Sequence, residues 1–92
     1  MTGSPARVRV VLPASLTAPG PAEQIGCEAA TVRALLDAVA AVRPDLAGRL
    51  LYEGRLLVTV AVNGTMLPAG TAMAHALADG DRVELVPPVA GG

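Results

Sequence analysis

The residues best placed to do chemistry are the six at the C-terminal end, Pro87-Pro88-Val89-Ala90-Gly91-Gly92. We expect Gly92 to be the last residue, so that its α-carboxylate, with an ordinary pKa of about 3.3–3.7, is ionised at neutral pH. A free carboxylate is inert until another enzyme activates it, and ATP-dependent adenylation is the usual route. Gly91 and Gly92 lack a Cβ, so the walls of an active site can close around the backbone that carries the acid. Pro87 and Pro88 hold φ near −65° and bias the segment toward an extended path. At about 3.1 Å per residue, six such residues reach about 19 Å, enough to enter a deep channel. Proline, alanine and glycine at a chain end also read as a frayed terminus, and the segment alone does not separate these readings.

Other reactive side chains have packing explanations. Cys27 is the single cysteine, which excludes an internal disulfide and a Cys-rich metal site and fits a reducing compartment. It alternates with Ile25 on the inner face of a strand, as a small hydrophobe rather than a reactive thiol. His75 has only Asp79 at ligand spacing and reads as a lone surface histidine, not a metal ligand. Asp79 and Asp81 flank Gly80 and are turn formers before they are an acid pair.

The elements that must position the tail follow from periodicity. Arg7 to Leu12 alternates, with Val8, Val10 and Leu12 on one face and arginines on the other, a half-buried strand. Pro13 stops it, and Ala14 to Ala22 reads as a turn-rich connection to a second strand over Glu23 to Glu28, forming a hairpin. From Ala30 to Val42 the period becomes helical, with Val32, Leu35, Leu36 and Val39 on one face and Thr31 as N-cap. Pro44 ends that helix, and Asp45 to Leu51 forms a short second turn. Leu56 to Asn63 reads as one strand, Asn63-Gly64 as a type I′ turn, and Thr65 to Leu67 as the returning strand. Thr71 to Ala78 is a helical turn carrying Met73 and Leu77. Asp79-Gly80-Asp81 turns into the last strand, where Val83 and Leu85 point inward and which runs directly into the tail. This order predicts an α+β fold: a mixed four- to five-stranded sheet with one main helix on one face, the last strand lying parallel to the first at the centre. The expected division is a domain over 1–86 and a tail over 87–92. Opposite the helix, the alternation gathers Val11, Leu57, Thr59, Ala61 and Val86, either as a docking surface or as residues kept for strand propensity alone.

Composition limits the partners. Ninety-two residues make one modest core, which leaves little room for a large catalytic cleft. Apolar residues are 52% of the chain, Phe and Trp are absent, and Tyr52 is the only aromatic, so the core is aliphatic. Net charge is −1 and all seven basic residues are scattered arginines, which argues against nucleic acid as a partner. No apolar run approaches the ~20 residues that span a bilayer, and no leader pattern is visible; we expect a cytoplasmic protein. With no lysine in the chain, only the N-terminus offers a primary amine to a neighbour's activated carboxylate.

Three stretches, Val60-Ala61-Val62-Asn63-Gly64, Leu77-Ala78-Asp79-Gly80-Asp81 and Val86-Pro87-Pro88-Val89-Ala90-Gly91-Gly92, in this order and spacing, resemble the ThiS/MoaD family of ubiquitin-like sulfur carriers. The resemblance implies a β-grasp fold and a shuttle rather than an enzyme. An E1-like adenylyltransferase would adenylate Gly92 at the expense of ATP. A persulfide-bearing donor would convert the adenylate to a thiocarboxylate, and a sulfur-accepting synthase subunit would use it. Gly92 would carry the sulfur, and Gly91, Ala90, Val89, Pro88 and Pro87 would occupy the partner's channel; no cofactor would stay bound to the carrier. Many relatives carry aromatic residues near the final strand, where this chain has Val83, Leu85 and Val86. The acceptor is left open among a molybdopterin precursor, a thiazole precursor, an activated serine and a specialised metabolite. Two other classes remain beside the carrier: a modifier conjugated through Gly92 to lysines, and an interaction domain whose tail is never activated.

Overall fold

A computed structural model describes residues 5–87. Pro88, Val89, Ala90, Gly91 and Gly92, five of the six expected tail residues, lie outside the described residues.

Strand β1 (Ala6–Leu12) alternates buried and outward positions along its length, as a strand with one face on a core must. It pairs antiparallel with β2 (Glu23–Ala29), Arg7 opposite Glu28 and Val11 opposite Gln24. The connection is more ordered than a run of turns: Ala14–Thr17 forms a one-turn helix, α1, because Leu16 gains a fully buried site by turning inward after Pro13. Helix α2 (Val32–Val42) buries Val32, Leu35, Leu36 and Val39, the stripe its periodicity requires. The Thr31 hydroxyl accepts the Ala34 N–H at 3.2 Å, so the expected N-cap forms. After Pro44 a 3₁₀ turn (Pro44–Leu46) leads into α3 (Ala47–Leu50), with Leu46 and Leu50 buried.

The expected single strand over Leu56 to Asn63 is corrected. Glu53 and Gly54 both take positive φ, 50° and 76°, the geometry of a two-residue hairpin turn. They fold β3 (Leu51–Tyr52) against β4 (Arg55–Leu56) as a separate two-stranded sheet. Leu56 therefore faces Leu51, and only β5 (Thr59–Val62) enters the main sheet. Val58 is buried in step with Val60 and Val62, which is why the alternation runs on through the break. Asn63 and Gly64 take φ of 51° and 85° and return the chain into β6 (Thr65–Met66). A 3₁₀ turn over Ala72–Ala74 precedes β7 (Arg82–Val86).

The main sheet has the order β2-β1-β7-β5-β6, with β1 and β7 parallel and the other pairs antiparallel. With α2 on one face this is the β-grasp fold. Val10, Leu12, Leu35, Val39, Val60, Val83 and Leu85 are fully buried between the sheet and the helical side. Among the described residues no helix is long and apolar enough to cross a membrane.

Candidate tail exit and outer sheet face

The tail begins where β7 ends, at Val86-Pro87. Two neighbours hold β7 at the centre of the sheet: β1 pairs with it from Arg82 to Glu84, and β5 pairs with it from Val83 to Val86. The last pair, Val86 with Thr59, is held by β5 alone, so the two-sided anchoring expected from the sequence stops two residues short of the strand's end. On the β1 side of this end α1 packs beside β7. Its loop is fixed from two directions. The buried Thr17 hydroxyl donates to the Pro21 carbonyl at 2.7 Å, and Arg49 Nη1 donates to the Leu16 and Ala18 carbonyls at 2.7 and 2.8 Å. Carbonyls left over at the end of a one-turn helix need such donors.

At the other end of β7 a group of short hydrogen bonds sets its register. Asp81 accepts the Ala78 N–H at 2.8 Å and the Asn63 amide at 2.9 Å. Asn63 in turn accepts the Arg82 N–H at 2.9 Å and donates its own N–H to the Arg82 carbonyl at 2.8 Å. Asp79 accepts the Arg7 N–H at 2.8 Å, Gly80 N–H donates to the Arg7 carbonyl at 2.8 Å, and Arg9 N–H donates to the Asp81 carbonyl at 3.0 Å. The Ala78 N–H, then the Asn63 amide, hold the Asp81 carboxyl below the usual carboxylate range. Both aspartates thus tie the final turn to β1 and to the β5–β6 turn, and Gly80, at φ 87°, supplies a backbone conformation that other residues resist.

On the face opposite α2, Val11, Thr59, Ala61 and Val86 are half-buried outward residues of β1, β5 and β7. Leu57 is half-buried outside the main core, between β4 and β5, its N–H donating to the Leu50 carbonyl. The register adds two residues that alternation in single strands does not reveal. Met66 pairs with Ala61 and is 67% exposed, extending the apolar surface. Glu84 pairs with Val11 on one side and Ala61 on the other, so a carboxylate stands in the middle. The expected parallel pairing of first and last strands puts the outward residues of β7 between those of its neighbours, and the register decides which residues meet.

Cys27 is half-buried and packed against the core, and burial pushes its thiol up from the ordinary range. Among the described residues no group of three or more His, Cys, Asp and Glu could hold a metal ion.

Comparison with known proteins agrees with this arrangement. Residues 12–92 match the sequence profile of the ThiS family. Over 65 residues, 68% of this chain and 71% of the relative, the chain is 45% identical to small archaeal modifier protein 3 of Haloferax volcanii. The solution structure of small archaeal modifier protein 1 from Methanosarcina acetivorans superposes with a TM-score of 0.80 at 23% identity, covering 98% of this chain and 100% of that one, a likeness of fold. A chain of the Amycolatopsis orientalis BexX/CysO complex superposes with a TM-score of 0.74 at 27% identity, covering 92% and 99%. With its β-grasp sheet and a profile match over most of its length, the chain belongs to the ThiS family of ubiquitin-like small modifiers and sulfur carriers.

Proposed function

We propose that this protein is a sulfur carrier rather than an enzyme. An E1-like adenylyltransferase would join the Gly92 carboxylate to the α-phosphorus of ATP, with pyrophosphate leaving. The terminal sulfur of a persulfide donor attacks the acyl carbon and AMP departs. A thiol then cleaves the S–S bond, releasing the Gly92 thiocarboxylate and leaving a disulfide on the donor. A synthase subunit that takes the sulfur completes the cycle in the cytoplasm, where ATP and low-molecular-weight thiols are present.

The observation that carries this reading is the position of β7. A central strand, paired on both sides and fixed by the Asp79–Asp81 turn, delivers Pro87 beside a sheet face bearing Val11, Thr59, Ala61, Met66 and Val86, with Leu57 outside the sheet on the approach to β5. That geometry suits a partner that covers the face while Pro87, Pro88, Val89, Ala90 and Gly91 lead Gly92 into its active site. Prolines at the base of the tail reduce the ordering cost of docking.

The identity to a small archaeal modifier favours a second reading, conjugation through Gly92 to lysines of other proteins. With no lysine of its own, the protein would be attached singly and not extended through its side chains.

Intact-mass analysis after incubation with the cognate E1-like enzyme, ATP and a persulfide donor tests the carrier. Replacement of one oxygen by one sulfur at the C-terminus is the expected result. An unchanged mass with an enzyme that consumes ATP on this substrate counts against it, and lysine adducts recovered in place of thiocarboxylate favour conjugation.

A further inference from the structure

The outer sheet face has a second half. Arg9 and Arg82 stand side by side in register across the parallel β1–β7 pair, and Gly26 is the next residue across on β2. Strands lie about 4.8 Å apart, and like charges facing each other across a ladder destabilise it. Among the described residues, neither arginine has a carboxylate within ion-pair distance, whereas Arg7 and Arg33 each have one and Arg43 has two. Asp81, next to Arg82 in the chain, is engaged by Ala78 and Asn63, and Glu84 stands two residues along β7 on the same face. A Cβ at Gly26 would meet nothing within 4 Å. The result is an open depression of about 380 Å³ bounded by Arg7, Arg9, Gly26, Gly80, Asp81 and Arg82.

From this geometry we infer that the depression docks carboxylate side chains of the adenylating partner; the inference rests on the carrier reading above. The backbone donors that a small free anion would need are already engaged: the N–H groups of Arg7, Gly80, Arg9 and Arg82 go to Asp79, Arg7, Asp81 and Asn63. Two exposed guanidinium forks remain, and these match carboxylates presented by another protein surface. The site is continuous with the apolar half. Along β1 the outward residues run Arg7, Arg9, Val11, and along β7 Arg82, Glu84, Val86. Four residues of strand span about 13 Å, inside the footprint of a standard interface of about 800 Å² per partner. Apolar contact near the tail supplies affinity, and the arginines supply orientation and encounter rate.

The test is the rate of association with the cognate E1-like enzyme at low and high salt, for Arg9→Gln, Arg82→Gln and their combination. Gly26→Glu would set a carboxylate beside Arg9, with Gly26→Ala as the uncharged filler, and Glu84→Gln would remove the nearby acid. The double glutamine variant and Gly26→Glu are expected to slow association roughly tenfold at low salt and to lose most of the salt dependence. Gly26→Ala, which fills the same space without charge, should slow association far less than Gly26→Glu, and Glu84→Gln should associate faster. Thermal unfolding of each variant checks that the fold is intact. Equal rates for parent and arginine variants, with Gly92 still adenylated, overturn the docking site and leave the carrier reading standing. Failure of the parent to be adenylated overturns the carrier reading itself. Saturable binding of inorganic pyrophosphate at Arg9 and Arg82, with no effect of the variants on association, would assign the depression to a small anion instead.

Discussion

Replacing Asp81 should destabilise the fold by an amount that can be worked out and that depends on pH. Its carboxylate accepts one backbone and one amide N–H, at 2.8 and 2.9 Å. Hydrogen bonds to charged acceptors contribute about 1.5–3 kcal/mol when shielded. Both of these are near the surface, so about 1 kcal/mol each is the appropriate scale. Asp81→Ala should therefore cost about 2 kcal/mol, or about 8–16 °C in Tm for a domain of this size. Asp81→Asn should cost about half as much: it retains an acceptor for Ala78 but turns an NH₂ toward the NH₂ of Asn63. Flipping Asn63 to relieve that contact would take the acceptor away from Arg82 N–H. Because the folded-state carboxyl titrates below the usual range, the contribution is complete above the unfolded value of about 3.9 and is lost as pH falls through the folded value. Urea unfolding followed by far-UV circular dichroism, at pH 7 and at steps below pH 4, reads both effects. Asp81→Ala and the parent should converge in acid. A difference smaller than about 0.5 kcal/mol at neutral pH, the range of ordinary surface substitutions, or one that persists unchanged at the lowest pH, refutes the account.

Two further outcomes follow from the same geometry. Thr31→Ala removes the acceptor for Ala34 N–H and should lower stability by about 1 kcal/mol, while Thr31→Ser should recover most of the loss; equal stability of all three proteins would mean that the cap contributes nothing. Cys27, its thiol pushed up by burial, should react with iodoacetamide at pH 8 markedly more slowly in the folded protein than in urea at the same pH, and equal rates would contradict its packing.

The parts of the fold legible in the sequence are those where local pattern and tertiary need coincide. Val32, Leu35, Leu36 and Val39 announced a helix that the sheet then buried, and Thr31 announced its start. Asn63-Gly64 gave the turn because both positions require positive φ. Leu56 was misassigned because alternation reports a face, not a partner: Val58, Val60 and Val62 keep the same inward side although the chain changes sheets before Val58. Gly54 carried part of the missing information, a residue that takes positive φ freely, but Glu53 before it, also at positive φ, is not the asparagine that marks the other turn. At the candidate site, the outward positions of Val11, Thr59, Ala61 and Val86 were readable strand by strand. The meeting of Arg9 with Arg82, and the place of Glu84 between Val11 and Ala61, were not. Those depend on register, which residues far apart in the chain determine together.

That register separates the two ends of β7. The Asp79–Asp81 turn fixes where β7 enters the sheet at Arg82, and Val86, at the strand's other end, is where it leaves. Since neighbouring strands hold β7 along its length, the position of Pro87 follows from the turn without any group of the turn approaching the tail. A side chain such as Asp79, which does not line the Arg9–Arg82 depression, therefore acts on presentation only through the stability of the whole sheet. At a temperature where Asp79→Ala is still folded, Gly92 of the variant should be loaded as fast as that of the parent, and the difference should emerge only where the variant begins to melt. Slower loading well below its Tm would show that the turn touches the partner directly, and would enlarge the docking face from the Arg9–Arg82 depression to the edge that carries Asp79.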